Sequence, residues 1–310
     1  MQRCWRTLCL VLLGALALSR PAWATPLRID FFDVGQGDAA LITSPTGKTT
    51  LIDGGPPEAA HRLSARLRAR MAPAGGPLDL ILLTHRHLDH LGGLGLIVED
   101  VGTRLYLDPA FEHPTPAYAT LVERLAAHHV PVRNAEAGRK IDLGGGAWLT
   151  LLGPPSPPLR RTRSDVNANS IVARLDYGQV RVLFAADMEP QTERWLLRQD
   201  RAALRADVVK VPHHGSHYSS TVALVRAVAA PGPEARQLSL AVISVGARND
   251  YHHPSEDVIA RWTNAGARVH RTDRDGDLSL VTEGERIDVV AGAPTHVASP
   301  NLPSTGAVAP

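Results

Sequence analysis

The chain has 310 residues, 44% of them hydrophobic and 21% charged, with 33 Lys+Arg against 31 Asp+Glu. That is an ordinary globular composition for one large domain or two modest ones, and nothing in it demands nucleic acid or an anionic membrane as partner. The N-terminus is read separately: Arg3 and Arg6 precede an apolar run from Leu8 to Leu18, and Ala22-Trp23-Ala24 supplies an A-x-A cleavage site. This pattern predicts a secretory signal peptide over residues 1–24 and a secreted or periplasmic protein. The run is short for a bilayer span, an uncleaved anchor being the alternative, and no later stretch approaches transmembrane length. Cleavage would remove both cysteines, Cys4 and Cys9, so any metal ligands must be His, Asp or Glu. With Arg3, Arg6 and Arg20 gone as well, Lys+Arg falls to 30 and the net charge from +2 to −1.

The mature chain opens on a strand, Leu27 to Val34, turned by Gly35-Gln36-Gly37. Strands at Asp38 to Thr43 and Lys48 to Ile52 follow, joined by Ser44-Pro45-Thr46-Gly47. Glu58 to Met71 has helical periodicity, with Leu63, Leu67 and Met71 on one face. The apolar strand Asp79 to Leu83 then runs into Thr84-His85-Arg86-His87-Leu88-Asp89-His90, and Leu91 to Val101 reads as a helix. A strand near Arg104 to Leu107, a helix over Pro116 to His128 and strands at Lys140 to Leu143 and Ala147 to Leu152 come next. Gly153 to Asp165 is a Pro- and Arg-rich loop, followed by a strand pair, Asn169 to Asp176 and Gln179 to Ala185, that ends at Asp187. Helix Gln191 to Leu204, strand Asp207 to Val211, helix Thr221 to Ala229, strand Leu240 to Val245, helix Ser255 to Ala265 and terminal strands near Arg268, Leu278 and Ile287 complete the core. Two stacked sheets with helices outside are expected over residues 25–290, with a disordered Ala/Pro/Ser/Thr/Gly tail over 291–310.

Three histidines and an aspartate within six residues form the ligand set that borderline divalent ions such as zinc prefer. At the end of a strand, His85 and His87 project to one side and Asp89 and His90 to the other, serving two adjacent ions. Other strand ends supply further ligands: Asp187 after Val180 to Ala186, His213 and His214 after Val208 to Val211, His252 and His253 after Ala241 to Val245. A carboxylate at the end of an apolar strand is costly to bury unpaired, and bridging two cations would satisfy it. His61, His113, His128, His129, His270 and His296 lack such a context and read as ordinary surface or turn residues. Arg160, Arg161 and Arg163 are candidates to hold phosphate if their loop overhangs the site; a solvated loop is the alternative.

The motif His85-x-His87-x-Asp89-His90 after a strand resembles the metallo-β-lactamase superfamily. Five segments resemble, more narrowly, the C-terminal hydrolase domain of ComEC-type DNA-uptake proteins: Asp33 to Asp38, Leu51 to Gly55, the His85 turn, Val211 to Ser216, and Ser244 to Gly246 with Asn249 and His253-Pro254. The resemblance implies an α/β fold, the four-layer αβ/βα sandwich, with one or two Zn or Mn ions and a metal-bound hydroxide as nucleophile. It implies His85 and His87 on the first metal, Asp89 and His90 on the second, and Asp187 bridging, with His253 as last ligand of the second metal and His214 its rival. Asp89, His213 and His214 would be catalytic, one of the last two protonating the leaving group. Asp53 would orient a ligand imidazole, and Asp33, Gln36, Asp38, Asn169, Ser216 and Asn249 would support the site or meet the substrate. Asn169 and Ser170 stand where many members have a further histidine, so the first metal is expected to be the more weakly held. The activity implied is that of a phosphodiesterase or nuclease acting on a small or nucleic-acid phosphodiester, with no obligate protein partner. A lactonase, β-lactamase or phosphorylcholine esterase is the alternative within the superfamily, and a metal-carrying binding module the alternative outside catalysis.

Overall fold

The computed structural model describes residues 25–73, 75–231 and 237–291; the expected signal peptide and residues 292–310 of the expected tail lie outside them. In chain order the strands are β1 (Leu27–Phe31), β2 (Ala40–Thr43), β3 (Thr49–Ile52), β4 (Leu80–Leu82), β5 (Tyr106–Asp108), β6 (Val132–Asn134), β7 (Lys140–Gly144) and β8 (Ala147–Leu151). They continue with β9 (Ala173–Tyr177), β10 (Val180–Phe184), β11 (Val208–Lys210), β12 (Leu240–Ile243), β13 (Arg268–Arg271), β14 (Leu278–Thr282) and β15 (Ile287–Ala291). They form an eight-stranded sheet, β15-β14-β1-β2-β3-β4-β5-β6, and a seven-stranded sheet, β13-β12-β11-β10-β9-β8-β7.

The helices are α1 (Ala60–Met71), α2 (Leu88–Leu91), α3 (Leu94–Asp100), α4 (Pro116–Ala127), α5 (Asp165–Ala168), α6 (Pro190–Gln199), α7 (Val222–Val228), α8 (Glu256–Asn264) and α9 (Thr272–Asp275). Three apolar clusters set the layers. Between the sheets, Phe31 stacks on Phe184 at 5.9 Å among Ile29, Leu149, Leu175 and Val182. Leu63 and Leu67 of α1, Ile97 of α3 and Leu121 of α4 cover the outer face of the first sheet. Leu196 of α6, Leu224 of α7 and Trp262 of α8 cover the second. The central strands β2, β3, β4, β11 and β12 are therefore buried on both faces, which is why they read as apolar runs. The architecture is the expected αβ/βα sandwich.

Local departures from the sequence reading have local causes. The helix expected from Leu91 is two pieces, α2 and α3, because the Gly93 N–H bonds to the Gly55 carbonyl and a Cβ there would strike the Gly54 carbonyl. The strand expected from Asn169 begins at Ala173: the Ile171 N–H reaches across to the Thr84 carbonyl, and Asn169 is spent on a loop. The end of the Pro/Arg-rich segment winds into α5, where the Ser164 hydroxyl accepts the Asn167 N–H as an N-cap. Strand β6 carries no apolar alternation and forms by parallel pairing with β5 alone. Ala291, placed in the tail by composition, closes β15 opposite Leu278.

Candidate metal centre

Strands β3 and β4 run parallel, as do β10 through β13, so their C-terminal ends lie along one edge of the sandwich, where open α/β sheets bind ligands. Asp53 follows β3, Thr84 and His85 follow β4, Asp187 follows β10, and His213 and His214 follow β11. Asp38 precedes β2, which is antiparallel to β3, and so reaches the same edge. Its turn needs Gly37, where a Cβ would strike the Asp89 carbonyl. His213 and His214 both adopt left-handed backbone, φ 50° and 51°, a strained conformation for residues with a Cβ. The His213 N–H bond to the Ala186 carbonyl, 2.9 Å, helps hold them there.

Asp89, His90, Asp187 and His214 offer ligand atoms that all lie within 4.8 Å of one another. His214 Nε2 stands 3.2 Å from Asp89 Oδ2 and 3.5 Å from Asp187 Oδ2; His90 Nε2 stands 3.4 Å from Asp187 Oδ1. In both histidines the other ring nitrogen is committed. His90 Nδ1 donates to Asp53 Oδ2 at 2.8 Å, and His214 Nδ1 donates to the Ser244 carbonyl at 2.9 Å. Asp53 is itself fixed, accepting the Thr84 N–H at 2.7 Å and the Thr84 hydroxyl at 2.8 Å. Such outer carboxylates hold a ligand imidazole in one orientation. Nε2 is then the one place left on each ring for a proton or a metal ion.

Those positions want a cation. His90 Nε2, His214 Nε2 and Asp187 Oδ1 are buried with no hydrogen-bond partner among the described residues, each costing about 1–3 kcal/mol if left so. Burial disfavours charge on both imidazoles, but Asp187 and Asp89 beside His90, and Asp187 and Asp38 beside His214, outweigh it and hold both well above the ordinary histidine range. Burial likewise opposes the Asp187 charge, yet His214, His213 and His90 keep it ionised, well below the usual carboxylate range. Imidazole and carboxylate converging on one point is the donor set of zinc or manganese, and the residues fit such an ion. A divalent ion held there would supply Lewis acidity and charge neutralisation.

The His85–His87 side differs. His85 Nε2 faces His87 Nδ1 at 3.2 Å and Asp187 Oδ2 at 3.8 Å, and its Nδ1 lies 3.1 Å from the Thr84 hydroxyl. Burial pushes His85 well below the ordinary range and lowers His87 as well, so both rings are neutral at neutral pH. Among the described residues no carboxylate is hydrogen-bonded to His87; its ring stands 5.6 Å from that of His113, a residue sequence reading left without a partner.

The remaining candidates divide. His253 does not join the four clustered residues; its ring stands 5.8 Å from that of His213, and burial, with His214 and His213 nearby, brings it down to about 4. His213 is held at about 4, chiefly by burial, and its neutral ring lies within 3.4 Å of Asn167 Nδ2 and 3.7 Å of Asp187 Oδ2. Gln36, Ser216, His213 and His253 line the cleft over the cluster. Asp33 instead shapes its own turn, accepting the Gly35 N–H at 3.0 Å. Asn169 clamps the Arg-rich loop through Leu159 and Asp165, and Asn249 clamps the loop carrying His253. Of the three loop arginines Arg163 alone lines the cleft, its Nη2 2.6 Å from Glu189 Oε1, while Arg160 lies over Phe111.

Sequence reading missed Thr84, Ser244, Lys210 and Asn167. Lys210 is buried at the end of β11 and ion-paired with Asp38, whose Oδ1 lies 3.4 Å from His214 Nδ1. Burial works against the Asp38 charge, but Lys210 and His214 keep it below the usual carboxylate range. A lysine closing an apolar strand was the available signal, since lysine is almost never fully buried unless paired.

Fold and site together define a metal-dependent hydrolase with a candidate His/Asp metal site at the strand ends of an αβ/βα sandwich. The chain belongs to the Metallo-beta-lactamase superfamily, whose family model matches residues 32–234. It is 24% identical to ComE operon protein 3 of Bacillus subtilis over 83% of this chain and 33% of that protein. It is 27% identical to Recombination protein 2 of Haemophilus influenzae over 91% of this chain and 32% of that protein. The chain thus spans about a third of the length of these relatives. Among solved structures, the metallo-beta-lactamase fold protein YhfI from Bacillus subtilis shares the fold, with a TM-score of 0.51 at 13% identity, covering 82% of this chain and 99% of that one. No helix among the described residues is long and apolar enough to cross a membrane.

Proposed function

We propose that this protein is an extracytoplasmic phosphodiesterase acting on nucleic acid, using one or two zinc or manganese ions. The observation that carries it is the convergence of three buried, partnerless ligand atoms, His90 Nε2, His214 Nε2 and Asp187 Oδ1, with Asp89 beneath an open cleft. In this reading Asp89, His90, Asp187 and His214 hold the first ion to bind, the role expected of His253 passing to His214. His85 and His87 with Asp187 hold a second ion. Neutral His213, facing the cleft beside Asp187, would accept a proton from the attacking water and pass it to the leaving alcohol oxygen. Hydrolysis adds water across one P–O ester bond and yields a phosphomonoester and an alcohol, with no redox partner. Phosphodiesters suit a two-ion site because charge builds on both entering and leaving oxygens. A relative named a recombination protein agrees with a nucleic-acid substrate. The Arg3-Arg6 and Leu8 to Leu18 pattern with Ala22-Trp23-Ala24 supports export with cleavage after Ala24.

The test is direct. Protein reconstituted with Mn or Zn is assayed on bis-p-nitrophenyl phosphate, a DNA oligonucleotide, a lactone and a β-lactam. Ion-dependent turnover of the phosphodiesters, lost with a chelator, is the expected result. Turnover confined to the lactone or β-lactam, or no bound metal after reconstitution, would overturn the reading.

A further inference from the structure

A cleft of about 720 Å³ opens over the cluster, and two of the most exposed aromatic side chains among the described residues line it, Tyr218 at 56% and Tyr251 at 68%. Each already takes part in a stacking arrangement. Tyr251 lies nearly parallel to His253, with centroids 5.7 Å apart and 23° between the planes. The Arg163 guanidinium sits 4.3 Å over the Tyr218 ring. Their backbones are tied down. Asn249 Nδ2 donates to the carbonyls of Gly246 and His253 while its Oδ1 accepts the His253 N–H. The Ser216 hydroxyl accepts the Tyr218 N–H, and the Ser219 hydroxyl contacts the carbonyls of Pro212 and Ser216.

Charge in the cleft points the same way. Among its described lining residues Arg163 is the sole arginine or lysine, and it is committed to Glu189. A duplex is held mainly by neutralising many phosphates, which this lining is not equipped to do. Base–aromatic stacking, by contrast, contributes about 1–3 kcal/mol per base and needs unpaired bases. Resting on the phosphodiesterase reading above, we propose that Tyr218 and Tyr251 are stacking subsites for unpaired nucleobases next to the scissile phosphodiester. The substrate is then single-stranded nucleic acid or a frayed end, held by ring faces more than by phosphate contacts.

The experiment compares a short single-stranded DNA oligonucleotide, the same strand with abasic sites, and the blunt duplex. It uses the Mn-reconstituted full chain for kcat and KM and the metal-free chain for binding by fluorescence anisotropy. Wild type should prefer the base-bearing strand to the abasic one by about 5–150-fold in KM and in Kd for each stacked base. It should also prefer that strand to the duplex. In Tyr218→Ala and Tyr251→Ala the base-bearing to abasic ratio should shrink towards one, while Tyr218→Phe and Tyr251→Phe, which keep the ring, retain it. Equal handling of base-bearing and abasic strands by wild type, or Ala variants that keep the wild-type ratio, would overturn the stacking proposal while leaving the phosphodiesterase reading intact. No turnover of any phosphodiester by metal-loaded wild type would overturn both.

Discussion

The two halves of the His85–His90 turn are built to different standards. On the Asp89–His90 side each imidazole has one nitrogen fixed by a defined acceptor, Asp53 for His90 and the Ser244 carbonyl for His214, and the other buried and partnerless. On the His85–His87 side two neutral rings face one another at 3.2 Å, and His87 reaches into the cleft with no carboxylate behind it. The difference teaches that ligand residues alone do not make a strong site: what stands behind each ring sets its orientation and its charge. The pre-oriented side should fill first and the other at higher ion concentration.

The largest effect is expected at the residue the two halves share. Asp187→Ala removes the carboxylate that approaches His85, His90 and His214, and should lower phosphodiester turnover more than ~100-fold, beyond the range of an outer-sphere change. A circular-dichroism spectrum like that of wild type keeps the comparison valid; turnover within a factor of a few would remove Asp187 from the site. Next comes the ion pair behind the better-furnished half. Lys210→Met leaves Asp38 buried without its cation and should cost about 3–5 kcal/mol in urea unfolding. The double variant with Asp38→Asn should recover part of that loss, and a single variant as stable as wild type would show the pair to be dispensable. Asp53→Asn weakens the support of His90 and should lower metal affinity by about 10–100-fold, with a smaller change for the ion on the His85–His87 side.

The last contrast concerns pH. His90 and His214 are held above the ordinary range, so around neutral pH each carries a proton on the nitrogen an ion would take. Binding must displace those protons, and affinity on this side should rise with pH by roughly tenfold per pH unit for each proton released. His85 and His87 are already neutral, so the other side should vary little over pH 6–8. Calorimetry in buffers of different ionisation enthalpy measures the protons released; equal release from both steps would erase the contrast.

Much of this was legible in the residues. The strand–turn motif from Leu80 to His90 and the strand-end positions of Asp187 and His214 follow from apolar runs that stop at a polar residue, while Asp53 behind an imidazole was implied by the family resemblance. What escaped depended on contacts distant in sequence. His214, and not His253, stands among the four clustered residues, its ring oriented by a Ser244 carbonyl 30 residues away that nothing local to either histidine signals. Asn169 looked like a site residue and is a loop clamp, while Asn167, two positions earlier, reaches His213 because a single helical turn, α5, presents it. Tyr218 and Tyr251 gave no periodic signal at all, and the fold brings them to one cleft.

The decisive question is which histidine holds the tight ion. Titrating metal-free protein with Zn or Mn, and reading stoichiometry by calorimetry and elemental analysis, should give a tight step followed by a weaker one. His214→Ala should abolish the tight step, whereas His87→Ala should remove only the weak one. Loss of the tight step in His87→Ala, with both steps kept in His214→Ala, would contradict the assignment.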